Sequence, residues 1–264
     1  MRFGMRFVVL APLTWLMLVF MHPVRADPFD EMNVVALDRN IDMIAVKGGC
    51  YGMGSDGQQA SANEKPVHEV CVKDFLIGKY PVTQLQWISV MGKNPSAHDN
   101  CGDLCPVENV SWDEVQVYIR KLNERTKGSY RLPTEAEWEF AARGGGKNER
   151  WSGTDNEKEL PDYAWYLNNA RYMSHPVGQK KPNALGLYDM TGNVWQWVSD
   201  WYAEDSYASS ARDDPQGPST GRARVLRGGF WGDTAGFARV TRRISLGTDV
   251  KGPGYGFRLA QTAK

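Results

Sequence analysis

Gly186-Leu187-Tyr188-Asp189-Met190-Thr191-Gly192-Asn193-Val194-Trp195-Gln196-Trp197 sets two tryptophans, a tyrosine and two glycines beside an Asp, an Asn and a Gln. The stretch is too polar for a core strand and too aromatic for a loose loop. A turn that buries two indoles leaves carbonyls facing inward, and these need either hydrogen-bond donors or a hard cation. It therefore reads as a rigid loop knot, and the rest of the chain decides whether the knot serves a site or only the fold.

Upstream, the first 26 residues read as a targeting segment. Arg2 and Arg6 precede an apolar run from Phe7 to Met21, and Val24-Arg25-Ala26 offers small residues where a signal peptidase cuts. The run is short for a membrane-spanning helix, so no span is expected after cleavage. An exported chain reaches a periplasmic or secreted location, where an even count of four cysteines reads as disulfides. Cys50 and Cys71 lie in two extended segments, 43–53 and 68–75, that a hairpin would bring together, and Cys101 and Cys105 enclose a short local loop. The expected pairs are 50–71 and 101–105, and the uneven spacing argues against a four-thiolate zinc site.

Charge excludes some partners. The chain balances 31 Lys+Arg against 31 Asp+Glu, and losing Arg2, Arg6 and Arg25 with the leader makes the mature chain slightly acidic. Neither nucleic acid nor an anionic membrane is an expected partner. With no Ser/Gly- or Pro-rich linker in view, residues 27–42 read as an extension and 43–264 as one domain. The 27 Gly, 14 Pro and 10 Trp indicate a loop-rich fold stiffened by aromatic packing.

Capping boxes predict three helices, opening at Thr83-Gln84-Leu85-Gln86, Ser111-Trp112-Asp113-Glu114 and Thr134-Glu135-Ala136-Glu137. The first runs to about Met91, the second to about Arg125, the third to Arg143. Glu135, Glu137 and Glu139 read as acids favoured by the helix dipole rather than as a catalytic pair. After Gly146 the helical pattern gives way to Gly, Pro, Asn and Asp clusters. Arg224–Arg227, Ala238–Arg242 and Gly256–Ala260 read as strands of one sheet.

Phe75–Thr83, Pro106–Trp112, Tyr130–Gly145, the Gly186–Trp197 knot, Arg224–Gly229 and Gly256-Phe257-Arg258 together resemble the sulfatase-modifying-factor domain of formylglycine-generating enzymes, in the family's order. The resemblance runs from about Met43 to Ala260. It implies an irregular α+β fold related to C-type lectins, with few helices and a small twisted sheet. It also implies a range of activities: copper-dependent oxidation of a sulfatase cysteine, oxidation of other peptides or thiohistidine precursors, or binding without catalysis.

Where the family's copper form places two thiolates, this chain has Asp233 and Ala238. A carboxylate and a methyl group cannot replace two soft ligands, so copper is not an expected cofactor. The iron-dependent branch uses a histidine cluster, whereas His68, His98 and His175 are scattered and read as packing or surface residues. Calcium is the cofactor the resemblance implies, held by the Asp189 side chain, the Gly192 and Val194 carbonyls and the side chain of Gln196. Gln196 stands where the family has a carboxylate, which implies weaker calcium or an amide hydrogen bond in its place.

A ligand pocket is expected around Trp231, Asp233, Arg239 and Arg243, with Trp201 and Tyr255 at its edge. Arginines near rings bind anionic or peptide ligands, and equally they pair with acids and hold loops together. The leading functional expectation is an exported family member in oxidative maturation of a peptide or protein, without the two-cysteine copper mechanism. The alternative is a non-catalytic, calcium-stabilised binding module for a peptide, glycan or envelope protein.

Overall fold

The computed structural model describes Met1 and residues 41–263. The expected leader over 1–26 and nearly all of the 27–42 extension lie outside the described residues, apart from Met1. Nine short strands and few helices make up the described residues, in the irregular α+β manner expected. Strands β1 (Met43–Val46), β4 (Phe75–Gly78) and β9 (Ala260–Thr262) form one antiparallel sheet in the order β1-β4-β9. β2 (Gly49–Met53) and β3 (His68–Val72) form a hairpin. A second sheet orders β7 (Arg243–Leu246), β6 (Arg224–Arg227), β5 (Trp195–Trp201) and β8 (Tyr255–Phe257), with β5 and β8 parallel.

The three expected helices are present: α1 (Gln84–Met91), α2 (Trp112–Thr126) and α3 (Glu135–Ala142). Thr83, Ser111 and Thr134 each accept the N3 backbone N–H, and the N3 Gln or Glu side chain reaches back to the cap. Gly92 ends α1 in the left-handed region. The sequence reading missed α4 (Leu160–Tyr163), a single turn with Pro at its start.

Alternation along β5 and β6 gives the larger sheet two apolar faces. Val198 and Val225 join Trp138 and Phe140 of α3, while Trp197 and Leu226 join Trp87, Tyr118 and Leu122 of α1 and α2. The sheet is therefore covered by helices on both sides. The knot leads directly into its central strand β5.

Three expected segments are corrected. Residues 43–53 are two strands in different sheets, because the chain crosses over at Gly48, where a Cβ would lie 2.2 Å from the Val72 carbonyl oxygen. Ala238–Arg242 is a turn, and the strand begins at Arg243. The Arg239 and Thr241 side chains fold back onto buried Glu64, so the segment gives its polar side chains to a loop rather than to a sheet edge. Gly256–Ala260 spans parts of two strands in different sheets, β8 and β9, with Arg258 turned inward between them.

Both expected disulfides are present: Cys50–Cys71, directly opposed in the β2–β3 register, and Cys101–Cys105. No cysteine is free. Among the described residues no helix is long and apolar enough to cross a membrane.

Candidate functional site: the loop knot and the Trp231 face

The knot is closed by an arginine the sequence reading did not single out. Arg258 is fully buried. Its Nε donates to Gln196 Oε1 at 2.6 Å, one terminal nitrogen to the Gly78 carbonyl at 2.7 Å, and the other to the Tyr188 and Asp189 carbonyls at 2.8 and 3.2 Å. Gln196 completes the arrangement. Its amide nitrogen donates to the Asp189 carbonyl at 2.7 Å, and its oxygen also accepts from the Trp138 indole at 2.8 Å.

The residues expected to hold calcium are close together, but their side-chain oxygens are committed. Asp189 Oδ2 accepts from the Gly178 N–H at 2.9 Å and Oδ1 from the Asn193 amide at 3.2 Å. Burial raises the Asp189 carboxyl above its usual range, opposed by these donors and by Arg258. Gly192 and Val194 are buried between them, and a Cβ at Gly192 would lie 2.1 Å from the Trp165 carbonyl oxygen. Arg258 and the Gln196 amide meet the carbonyls of Gly78, Tyr188 and Asp189, so a cation held by Asp189 and Gln196 would have to displace these bonds and face a buried guanidinium.

The expected pocket divides into two places. Arg239 pairs with Glu64 at 2.6 Å, and Arg243 forms a bidentate pair with Glu135 at 2.8 and 2.7 Å, both buried. These arginines hold loops together, and their acids are Glu64 and Glu135. Glu135 and Glu139 are thus more than dipole acids. Glu139 takes Arg143 and Arg227, so α3 supplies the acids of a buried network of ion pairs. Trp201 lies elsewhere and stacks on Arg224, 3.5 Å from its ring centroid, with Trp112 at 4.0 Å on the other face.

Trp231 and Asp233 remain together. The Trp231 indole donates to the Pro253 carbonyl, two residues before Tyr255, and its backbone N–H to the Asn193 carbonyl of the knot. Asp233 accepts from the Phe230 N–H at 3.2 Å, and burial pushes its carboxyl up to about 6, with Phe230 and the Trp195 indole opposing. Ala238 is fully buried, and a Cβ at Gly229 would touch both Ala238 and Asp233, so the segment is tightly folded.

Two residues missed as site candidates join this face. The His98 ring packs edge-on against Trp231 with centroids 5.3 Å apart, and its backbone N–H donates to Glu108 Oε1 at 2.8 Å. Glu108 is fully buried, and its Oε2 has no hydrogen-bond partner. Burial raises the Glu108 carboxyl and lowers the His98 imidazole, in each case against the charged form. One signal was present in the sequence: Glu108 interrupts the apolar run Pro106–Val110 just before a helix cap. His68 and His175 pack on other rings, Tyr207 and Trp165, so the described histidines do not converge.

A loop-rich scaffold with two small sheets, a polar–aromatic knot and a site on the segment after Arg227-Gly228-Gly229 defines a formylglycine-generating-enzyme-like fold of the C-type-lectin kind. The sequence matches the sulfatase-modifying factor enzyme 1-like domain over residues 28–263, and the chain belongs to that family. It is 31% identical to the chaperone protein LppX of Paenibacillus barcinonensis, over 84% of this chain and 89% of that protein. It is 38% identical to the formylglycine-generating enzyme of Streptomyces coelicolor, over 60% of this chain and 53% of that enzyme. The chain spans only 38% of the serine/threonine-protein kinase pkn1 of Chlamydia pneumoniae, at 34% identity over 83% of its own length. Among solved structures, Treponema denticola variable protein 1 superposes with a TM-score of 0.76 at 34% identity, over 84% of this chain and 95% of that one.

Proposed function

We propose that this protein is an exported family member that recognises a peptide or protein partner on the Trp231 face and serves in its maturation, without the two-cysteine copper mechanism. One observation carries this reading. By the family resemblance Asp233 and Ala238 stand where the copper form has its thiolates, and all four cysteines of the chain are committed to disulfides, which leaves no free thiolate for Cu(I). What the face offers instead is a half-buried indole, a histidine and two carboxyls that burial raises above the usual carboxylate range. Neutral acids and imidazole can donate and accept hydrogen bonds, or move protons, on a bound polypeptide.

A second reading, a binding module without chemistry for a peptide, glycan or envelope protein, is favoured by the unpartnered Glu108 oxygen beside His98, an arrangement that can hold a ligand's donor without any reaction. One experiment serves both readings. Peptide arrays, including cysteine-containing sequences, are screened for binding by the mature protein, and oxygen consumption is followed with the peptides that bind. Binding weakened by roughly tenfold or more in Trp231→Ala, with an unchanged melting temperature, is the expected result. Copper at one per chain with oxygen uptake on cysteine peptides would refute the non-copper reading, and unaltered binding by Trp231→Ala would refute the face.

We also propose that the knot closes through Arg258 and Gln196 rather than through calcium. A site saturated a hundredfold above its Kd would stabilise the fold by about 2.7 kcal/mol, several degrees of Tm for a chain of this size. The expected result is the same melting temperature in calcium and in EDTA. A rise of several degrees with calcium would instead restore the ion to Asp189, Gly192, Val194 and Gln196.

A further inference from the structure

At the first turn of α3, the loop after β5 borders a cavity of about 220 Å³ whose lining includes Asp200, Asp205, Ser206, Gln216 and Gly217. Among the described residues no lysine or arginine lines it. Glu135 also borders it, but Glu135 is neutralised by Arg243 and Arg227 and by the Tyr207 hydroxyl. Asp200 has no such partner. It is 3% exposed, and the hydrogen bonds it accepts, from the Glu135 N–H at 2.8 Å and the Ser199 hydroxyl at 3.0 Å, both go to Oδ2.

Asp200 Oδ1 accepts no hydrogen bond from the described residues. A Cβ at Gly217 would sit 3.0 Å from it, so this oxygen lies on the side where Gly217 walls the cavity. The absence of a side chain at Gly217, whose φ of +68° favours glycine, keeps that oxygen open. Gln216 donates its amide nitrogen to the Asp214 carbonyl, which leaves its oxygen as a second acceptor. Met53, Ala203 and Pro215 give the remaining wall an apolar surface that suits a short alkyl stem.

We propose that this cavity is a subsite for a primary alkylammonium group, with the charge on Asp200 Oδ1 and the methylenes against Met53, Ala203 and Pro215. The group can come from the lysine side chain of a polypeptide or from a small free amine, and the chemistry is the same. The site is separate from the Trp231 face and does not depend on the function proposed there.

The electrostatics give the subsite a signature. Burial, together with the neighbouring Glu135, pushes the Asp200 carboxyl up to about 7, while the Glu135 N–H, the Ser199 hydroxyl and Arg243 oppose. Arg224 also acts on Asp200 from β6, and Asp205 and Tyr207 line the cavity from the loop. A cation favours the carboxylate, so binding releases a proton below about pH 7 and strengthens as pH rises through that value.

The test is calorimetric titration of the mature protein with n-butylammonium chloride at about pH 8 and about pH 5.5, with n-butanol as the uncharged control. Saturable binding at the higher pH, weaker by about tenfold or more at the lower, is expected, given a carboxyl that titrates at about 7. Asp200→Asn abolishes it. Ala211→Phe, at an exposed lining position, closes the mouth without touching the acid, and decides the question if Asp200→Asn fails to fold. Nα-acetyl-lysine N-methylamide separates the sources: binding like butylammonium assigns a polypeptide lysine, and failure to bind assigns a free amine. The proposal is overturned by no saturable heat at the higher pH, by butanol binding as well as butylammonium, or by undiminished binding in a folded Asp200→Asn or Ala211→Phe.

Discussion

Glu139→Gln is expected to cost about 3–5 kcal/mol of stability, the range for breaking a buried ion pair by removing one partner. Glu139 is fully buried between two arginines. Its Oε1 accepts from the Gly54 N–H at 3.0 Å and Arg143 Nε at 2.9 Å, and its Oε2 accepts from Arg227. Glutamine fits the same space but turns an NH2 group toward a guanidinium, donor against donor. It also leaves Arg143, Arg227 and Arg243 with Glu135 as their remaining acid in the cluster. Urea unfolding of the two proteins measures the difference, with Asp74→Asn as the control, since the Lys47–Asp74 pair is solvent-exposed and its loss should be undetectable. A Glu139→Gln protein as stable as its parent would mean that water or rearrangement relieves the cluster.

The same network sets the acid limit of the fold. Glu64 is held down at about 2: burial raises it, but bonds from Arg239, Thr241 and the Ser61 N–H win. Glu139 is likewise lowered, by Arg143 and Arg227 against its burial. A carboxylate depressed in the folded state gives stability that is present above its unfolded pKa, about 4.3, and lost as pH falls toward the folded value. Asp200 works in the opposite sense, costing stability as pH rises from about 4 to about 7.

Arg258→Ala is expected to be the second severe substitution, at a cost of at least about 3 kcal/mol. It removes donors from the Gly78, Tyr188 and Asp189 carbonyls and from Gln196, and an orphaned buried acceptor costs about 1–3 kcal/mol. Buried Asp189 also loses a cation that lowers its carboxyl. Arg258→Lys should recover little, because a point charge cannot span four acceptors as the planar fork does. Thermal melts of the two variants check this, and full rescue by lysine would show that charge rather than hydrogen-bond geometry holds the knot.

What could be read in advance was local. The three capping boxes place Thr83, Ser111 and Thr134 because a cap is decided within four residues, and the Cys50–Cys71 bridge follows once two neighbouring strands are recognised. Arg239 looked like part of a strand, yet its fate is set by Glu64, 175 residues earlier in the chain. Glu135 and Glu139 were read through the helix dipole, while their partners Arg227 and Arg243 lie roughly a hundred residues away. His98 and Glu108 reach the Trp231 face only through loop geometry, which no periodicity encodes. The carbonyls of the knot did demand a partner, as its polar–aromatic composition implies, but that partner, Arg258, lies 62 residues beyond Gln196, just after β8.

The split between β8 and β9 ties the order of synthesis to the order of folding. β8 completes the parallel edge of one sheet, β9 pairs with β4 in the other, and Arg258 locks the knot between them. Residues 255–262 hold the last of the described strands to leave the ribosome, so neither sheet is complete, and the inward carbonyls stay unmet, until they have been made. These long-range closures make early folding slow and incomplete. A fragment ending before Tyr255 would therefore lack one strand of each sheet and the guanidinium that closes the knot.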